Sequence, residues 1–111
     1  MEYTEVLRRL AINDEHVFED AATGLEQVRL DPKTLALVRL AALVAVGGTV
    51  PSYGAETDAA IGAGATAAET VGVLVAVVAV VGTPSVVAAA PRLAMALGYD
   101  IDEALEHQSG W

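Results

Sequence analysis

The sequence predicts an all-α protein of about six to seven helices, and three observations support this prediction. First, the 111 residues are 54% hydrophobic but only 5% aromatic, so alanine and valine supply most of the apolar surface. Second, glycine and proline divide the chain into segments of helical length. Third, Thr66-Ala67-Ala68-Glu69 matches a capping box, in which a hydroxyl and a carboxylate each accept a hydrogen bond from a free backbone N–H.

The first half of the chain contains signals for four helices. Two short amphipathic helices are predicted over Glu2 to Leu10 and Asp14 to Thr23. Asp31-Pro32 then supplies an N-cap followed by proline at the first helical position, where a backbone N–H is not needed. Gly47-Gly48 ends that helix. The next helix is predicted from about Ser52 to Ala63.

The second half begins with the capping box, which opens a valine-rich helix that ends at Gly82. Thr83-Pro84 repeats the arrangement of a cap followed by proline, and we expect its helix to end at Gly98. Asp100, with Glu103 three residues later, predicts a last short helix that ends near His107.

The valine-rich run from Val71 to Val78 also permits a strand, because β-branched residues dominate it. Its helical length, its capping box and the lack of a second strand to pair with favour a helix. The uncharged stretch from Val71 to Ala90 approaches the length of a membrane span, but Gly82-Thr83-Pro84-Ser85 interrupts it. We therefore predict a buried helix followed by a turn, and no membrane association.

The chain length predicts a single domain over residues 1–111. We assign N-terminal helices to 1–29, the helical core to 30–97, and a last helix with a tail to 98–111. Because small side chains bury little apolar area each, we expect further burial between subunits and therefore a homo-oligomer.

Charge and cysteine content exclude several functions. The net charge of −9 repels nucleic acid and anionic lipid, so neither is an expected partner. The chain has no cysteine, which excludes disulfides, cysteine-based metal sites and thiolate chemistry. The first residues lack the pattern of a signal peptide, so we expect a cytoplasmic protein. No cofactor is predicted.

The order of several short motifs indicates a family. Leu30-Asp31-Pro32-Lys33-Thr34 precedes an apolar helix, Ala60 to Glu69 reads Ala-Ile-Gly-Ala-Gly-Ala-Thr-Ala-Ala-Glu, and the following helix ends at Gly82-Thr83-Pro84. In this order and spacing the chain resembles the carboxymuconolactone decarboxylase family, which includes the alkylhydroperoxidase AhpD-like proteins. The resemblance implies packed antiparallel helices, assembly as trimers or hexamers, and an active site near the start of the helix Ser52 to Ala63.

The resemblance also shows what this chain lacks. Peroxidase members carry Cys-x-x-Cys with a histidine four residues later, and decarboxylase members keep the histidine for proton transfer. These positions fall at Thr49, Ser52 and Glu56, and the acidic residue expected on the preceding helix falls near Leu37. Every position that carries the family's chemistry is therefore changed, so the resemblance supports the fold but not the activity.

Three residues are candidates for a site in this region. Glu56 occupies the position of the family histidine, and a carboxylate in an apolar pocket can act as a general base; alternatively it faces solvent. Arg39 is the only charge between Lys33 and Glu56, and it either clamps an anionic substrate, neutralises Glu56, or lies on the surface. Tyr53 lies one helical turn before Glu56 and either donates to a ligand or packs in a core or interface.

The remaining polar candidates have simpler interpretations. Ser52 and Thr49 either contact substrate or cap the helix, and the second interpretation is favoured because no base is placed beside them. His16 and His107 lie near opposite ends of the chain without metal-ligand spacing, so we predict surface histidines and no metal site.

Three functions remain open. The leading one is a family member without thiol peroxidase activity that binds a small molecule, such as a small organic acid, or serves in assembly. The second is a cofactor-independent lyase or isomerase that acts on a small organic acid, with Glu56 as base, Arg39 as anion clamp and Tyr53 as hydrogen-bond donor. The third is a structural partner subunit of a catalytic homologue.

Overall fold

The computed structural model describes residues 2–19 and 28–99, and every regular element in these ranges is helical. Five helices have bounds in this part of the chain: α1 Tyr3–Ala11, α2 Pro32–Val46, α3 Val50–Gly62, α4 Ala67–Val81 and α5 Thr83–Ala96. The all-α prediction is confirmed, and the valine-rich run forms the helix α4. The helix predicted from Asp100 to His107 lies outside the described residues, as do residues 20–23 of the predicted second helix.

The chain divides into two compact units, Met1–Asp31 and Pro32–Trp111. In the first unit Val6 and Val17 are buried. An ion pair of 2.7 Å joins Arg9 Nε to Asp14 Oδ2, just beyond the end of α1. The organisation of the whole chain as one domain stays a prediction.

The core of the second unit brings α2, α3, α4 and α5 together. Its main apolar cluster consists of Leu40, Val44, Tyr53, Leu74, Ala89 and Leu93. A smaller cluster joins Ala36 of α2 to Ala60 of α3 and to Ala65 in the turn that follows α3. Alanine at these contacts allows the two helices to approach closely, because interaxial distance depends on the side chains at the contact.

Glycine and threonine determine where α2 ends and α3 begins. Gly47 has φ +81°, and the N–H groups of Gly47 and Gly48 both donate to the Leu43 carbonyl at 2.9 Å. Thr49 is the N-cap of α3, and its Oγ1 accepts from the Ser52 N–H at 3.3 Å. The helix therefore starts at Val50, two residues earlier than the sequence predicted.

The capping box of α4 is confirmed. Thr66 Oγ1 accepts from the Glu69 N–H and Glu69 Oε1 accepts from the Thr66 N–H, both at 3.0 Å. Lys33 Nζ also pairs with Glu69 Oε2 at 2.8 Å, which connects the first turns of α2 and α4. The predicted threonine cap of α5 is wrong: Gly82, at φ +89°, is the N-cap, and Thr83 is already helical.

Among residues 2–19 and 28–99, no helix is both long enough and apolar enough to cross a lipid bilayer.

Candidate functional site

Thr49 and Ser52, for which the resemblance predicted the family's cysteine positions, form a helix cap. Thr49 Oγ1 and Ser52 Oγ lie 2.9 Å apart, and Thr49 Oγ1 also accepts from the Ser52 N–H. These hydrogen bonds stabilise the first turn of α3. A cap was the favoured interpretation of both residues from the sequence, and a substrate contact by either stays a prediction.

Glu56 and Arg39 do not meet in this structure. Glu56 is half-buried on α3, whereas Arg39 is exposed on α2. Neither side chain has a hydrogen bond or an ion pair within residues 2–19 and 28–99, and neither lines the cleft described below. The ion pair considered for them from the sequence is therefore absent here, and their catalytic and binding roles stay predictions.

Tyr53 is fully buried, and its hydroxyl lacks a hydrogen-bond partner among the described residues. A buried hydroxyl without a partner costs about 1–3 kcal/mol of stability. Burial raises the pKa of the Tyr53 phenol, and the positive charge of Arg92 opposes that rise only in part. The phenol therefore keeps its proton at neutral pH and is available as a hydrogen-bond donor.

Tyr53 lines a cleft between the end of α2, the start of α3 and one face of α5, which we call the Tyr53 cleft. Its volume is about 350 Å³, at the lower end of the range typical of small-molecule sites. The lining residues are Val44, Ala45, Val46, Gly47, Tyr53, Pro84, Ser85, Ala88, Ala89 and Arg92. Most of the wall is thus apolar, and the one charged side chain among these residues is that of Arg92.

Arg92 is half-buried on α5, and its Nη1 donates to the Gly48 carbonyl at 3.0 Å. In the described part of the chain it has no carboxylate partner, so its other N–H groups remain available. Gly48 fits this role because a Cβ there would lie 2.8 Å from Leu43 Cδ2. A side chain at residue 48 would therefore have to displace the Leu43 side chain or shift the turn that holds this carbonyl against Arg92.

The cleft includes residues that sequence reasoning missed. Arg92 is the only charged residue of α5, and a similar isolation, between Lys33 and Glu56, drew attention to Arg39 on α2. Ser85 follows Thr83-Pro84 and was considered only as part of a turn. Thr57 is 1% exposed and its hydroxyl has no partner among the described residues, although it does not line the cleft.

Histidines and carboxylates do not form a metal site in the described ranges, where no group of three or more such residues converges. His16 is exposed, and its Nδ1 lies 3.0 Å from Glu19 Oε2. His107 lies outside the described residues.

Comparisons with known proteins identify the family. The carboxymuconolactone decarboxylase family matches residues 14–95, which is more than half of the chain. No curated protein and no solved structure matches the chain. Together with the helical core and its confirmed capping box, the match shows that this cysteine-free chain belongs to the carboxymuconolactone decarboxylase family.

Proposed function

We propose that this protein binds a small organic anion in the Tyr53 cleft and has no thiol peroxidase activity. The observation that carries the proposal is the buried side chain of Tyr53, which lines a cleft that also contains Arg92 and whose hydroxyl has no partner in the described residues. A ligand oxygen that accepts from this phenol would satisfy a group that the protein itself leaves unsatisfied.

Arg92 supports an anion rather than a neutral ligand. Its guanidinium is half-buried, and the described residues supply only the Gly48 carbonyl as a partner. A carboxylate can accept two parallel N–H bonds from such a group, which adds both strength and orientation. Pro84 and Ser85 also place the N-terminus of α5 at the cleft, and the partial positive charge of a helix N-terminus has the same sign.

The absence of thiol peroxidase activity follows from the residues at the family's cysteine positions. Thr49 and Ser52 hydrogen bond to each other at 2.9 Å, and the chain has no cysteine at all. A hydroxyl lacks the low pKa and the redox chemistry of a thiol. We expect purified protein to reduce hydroperoxides no faster than buffer. Sustained turnover of a hydroperoxide would contradict this part of the proposal.

A pair of ligands matched in shape tests anion binding. Benzoate and benzamide have the same ring and nearly the same size, but only benzoate is charged at neutral pH. Isothermal titration calorimetry should give benzoate at least about tenfold higher affinity, because a hydrogen bond to a charged group contributes about 1.5–3 kcal/mol. Equal affinities, or no binding of either compound, would contradict the proposal.

A substitution of Glu56 distinguishes ligand binding in the Tyr53 cleft from the alternative of a lyase or isomerase that uses Glu56 as base. It is half-buried, but it does not line the cleft. We expect Glu56→Gln, which keeps the shape and removes the charge, to bind benzoate as the wild type does. A loss of affinity in this variant would favour a site centred on Glu56 instead.

We also propose that the protein forms a homo-oligomer. Val75 and Val80 of α4 are 70% and 87% exposed, and α4 has no charged residue after Glu69. Burial of such a surface against a second copy would remove apolar area from water. Light scattering after size-exclusion chromatography should give a mass above that of one chain, and Val80→Glu should lower it. A monomer at all concentrations would contradict this proposal.

A further inference from the structure

Two polar side chains of α5, those of Ser85 and Arg92, line the Tyr53 cleft. They are seven residues apart, so they lie on the same face of the helix, about 10 Å from each other along its axis. Ala88 and Ala89 lie between them and also line the cleft. Because alanine side chains are small, this part of the cleft has space for the apolar body of a ligand, with a polar side chain near each end.

Another face of α5 carries no such pair of polar side chains. It lines a second concavity, of about 320 Å³, between α4 and α5, which we call the apolar groove. The residues that line the apolar groove are Val71, Leu74, Ala90, Leu93, Ala94, Leu97 and Tyr99. The phenol of Tyr99 is the one polar side-chain group among them. A ligand with polar groups at both ends is therefore matched by the cleft and not by the groove.

Ser85 has two hydrogen-bond donors without a partner in residues 2–19 and 28–99. Its hydroxyl forms no hydrogen bond there, and its backbone N–H, in the first turn of α5, has no acceptor. Gly82, the N-cap of this helix, supplies no side-chain acceptor. Because Ser85 is half-buried, both donors gain from an acceptor that a ligand brings into the cleft.

The charge of the cleft determines what kind of acceptor fits at Ser85. Arg92 is the one charged side chain among the lining residues, so the cleft offers one cation for one carboxylate. A second carboxylate, near Ser85, would lose hydration without a positive side chain to compensate it. A neutral oxygen loses less hydration and accepts from the same two donors. The group of the ligand near Ser85 is therefore expected to be polar but uncharged.

We propose that the ligand of the Tyr53 cleft is an organic acid with one carboxylate and, at its opposite end, a neutral hydroxyl or carbonyl oxygen that Ser85 binds. The placement of this oxygen rests on the anion binding proposed above, because the carboxylate at Arg92 orients the ligand. Tyr53 lines the same cleft, is fully buried, and has a hydroxyl that also lacks a partner in the described residues. A ligand with several oxygens satisfies more of these donors than a simple carboxylate does.

Three benzoates that differ only in the para substituent test this specificity. 4-Hydroxybenzoate has a neutral oxygen, 4-methylbenzoate has a methyl group of nearly the same size, and terephthalate has a second carboxylate. Ser85→Ala removes the hydroxyl from the cleft. Thr83→Ala is the matched control, because it removes a hydroxyl from the same helical turn but Thr83 does not line the cleft. Isothermal titration calorimetry measures every affinity, with benzoate as the reference ligand for each protein.

We expect the wild type to bind 4-hydroxybenzoate more tightly than 4-methylbenzoate and more tightly than terephthalate. Ser85→Ala should reduce the ratio of the first two affinities at least about threefold, as the loss of one hydrogen bond requires. Its affinity for benzoate should be unchanged, which shows that the cleft is intact and that the altered ratio has a local cause. Thr83→Ala should change neither the ratio nor the affinity for benzoate.

Four results would overturn the proposal. The same ratio in the wild type and in Ser85→Ala, with benzoate still bound, would show that Ser85 does not bind the second oxygen, while anion binding would stand. An equal reduction of the ratio in Thr83→Ala would show that the effect does not arise in the cleft. Tighter binding of terephthalate than of 4-hydroxybenzoate would show that the second group is charged. If the wild type bound neither benzoate nor its derivatives, anion binding and the role of Ser85 would both be wrong.

Discussion

The Tyr53 cleft and the apolar groove have nearly the same volume, about 350 and 320 Å³, and α5 contributes to both. One face of this helix borders the cleft and another borders the groove. The residues of α5 on the cleft are Pro84, Ser85, Ala88, Ala89 and Arg92, and those on the groove are Ala90, Leu93 and Ala94, followed by Leu97 just beyond the helix end. Each set repeats at helical spacing, so one helix presents two surfaces of different chemistry.

The difference between the two surfaces concerns unsatisfied polar groups. The cleft is lined by Tyr53, whose hydroxyl has no partner, and by Arg92, which has a single partner in the described residues, whereas the groove is apolar throughout except for Tyr99. Polar groups that converge on an apolar wall select one ligand by its charge and shape. An apolar groove gains stability from any apolar cover of the right size. Concavity alone therefore does not identify a ligand site.

The largest expected effect is on the groove side. Leu93 is 2% exposed and belongs to the main apolar cluster, so Leu93→Ala should lower the free energy of unfolding by about 2–5 kcal/mol. Met95→Ala is the matched control, because Met95 lies on the same helix and is 64% exposed; its effect should stay within about 0.5 kcal/mol. Urea denaturation measures both. Equal losses would contradict the assignment of Leu93 to the core.

The second largest expected effect is on ligand affinity in the Tyr53 cleft, where Arg92 precedes Leu93 by one residue in α5. Arg92→Leu keeps apolar volume but removes the charge, so the dissociation constant for benzoate should rise about 30- to 100-fold, equivalent to about 2–3 kcal/mol. Arg39→Leu, which removes an exposed arginine from α2, should leave it unchanged. Titration calorimetry compares the two variants. Equal affinities would show that the comparison between cleft and groove is wrong.

The smallest expected effect concerns Glu69, which lines neither the Tyr53 cleft nor the apolar groove. The hydrogen bond from Lys33 and the N–H of Thr66 lower the pKa of Glu69. A lowered pKa in the folded state contributes stability above the ordinary glutamate pKa of about 4.3, and this contribution is lost as the pH falls through the lowered value. Glu69→Gln should therefore reduce the melting temperature at pH 7 more than at pH 3. Equal reductions in melting temperature at both pH values would contradict this role of Glu69. The affinity for benzoate should be the same in Glu69→Gln as in the wild type.

Local signals made most of the described fold predictable. Gly47-Gly48, the Thr66 capping box and Gly82 lie at the helix boundaries, because caps and turns depend on residues near in sequence. The predicted threonine cap of α5 was wrong, and the reason is again local. Gly82 adopts a positive φ and starts the helix without a side-chain cap, so Thr83 is not needed there.

The site was only partly predictable. Tyr53 was selected because it precedes Glu56 by one turn, and the structure places it at the cleft. Arg92 was missed because its partner, the Gly48 carbonyl, lies 44 residues away in sequence. Arg39 and Arg92 are each the one arginine of a mostly apolar helix, and only the packing of the helices determines which one borders a cleft. Sequence spacing carries no information about that choice.

Urea unfolding of Tyr53→Phe, with and without benzoate, tests the central claim most directly. If the Tyr53 hydroxyl has no partner until a ligand binds, its removal should leave the free energy of unfolding unchanged or raise it by about 1 kcal/mol, while stabilisation by benzoate decreases. Thr57→Val removes another unpartnered buried hydroxyl from α3, and should not change the benzoate effect. A Tyr53→Phe protein that is less stable but is stabilised by benzoate as much as the wild type would contradict the account.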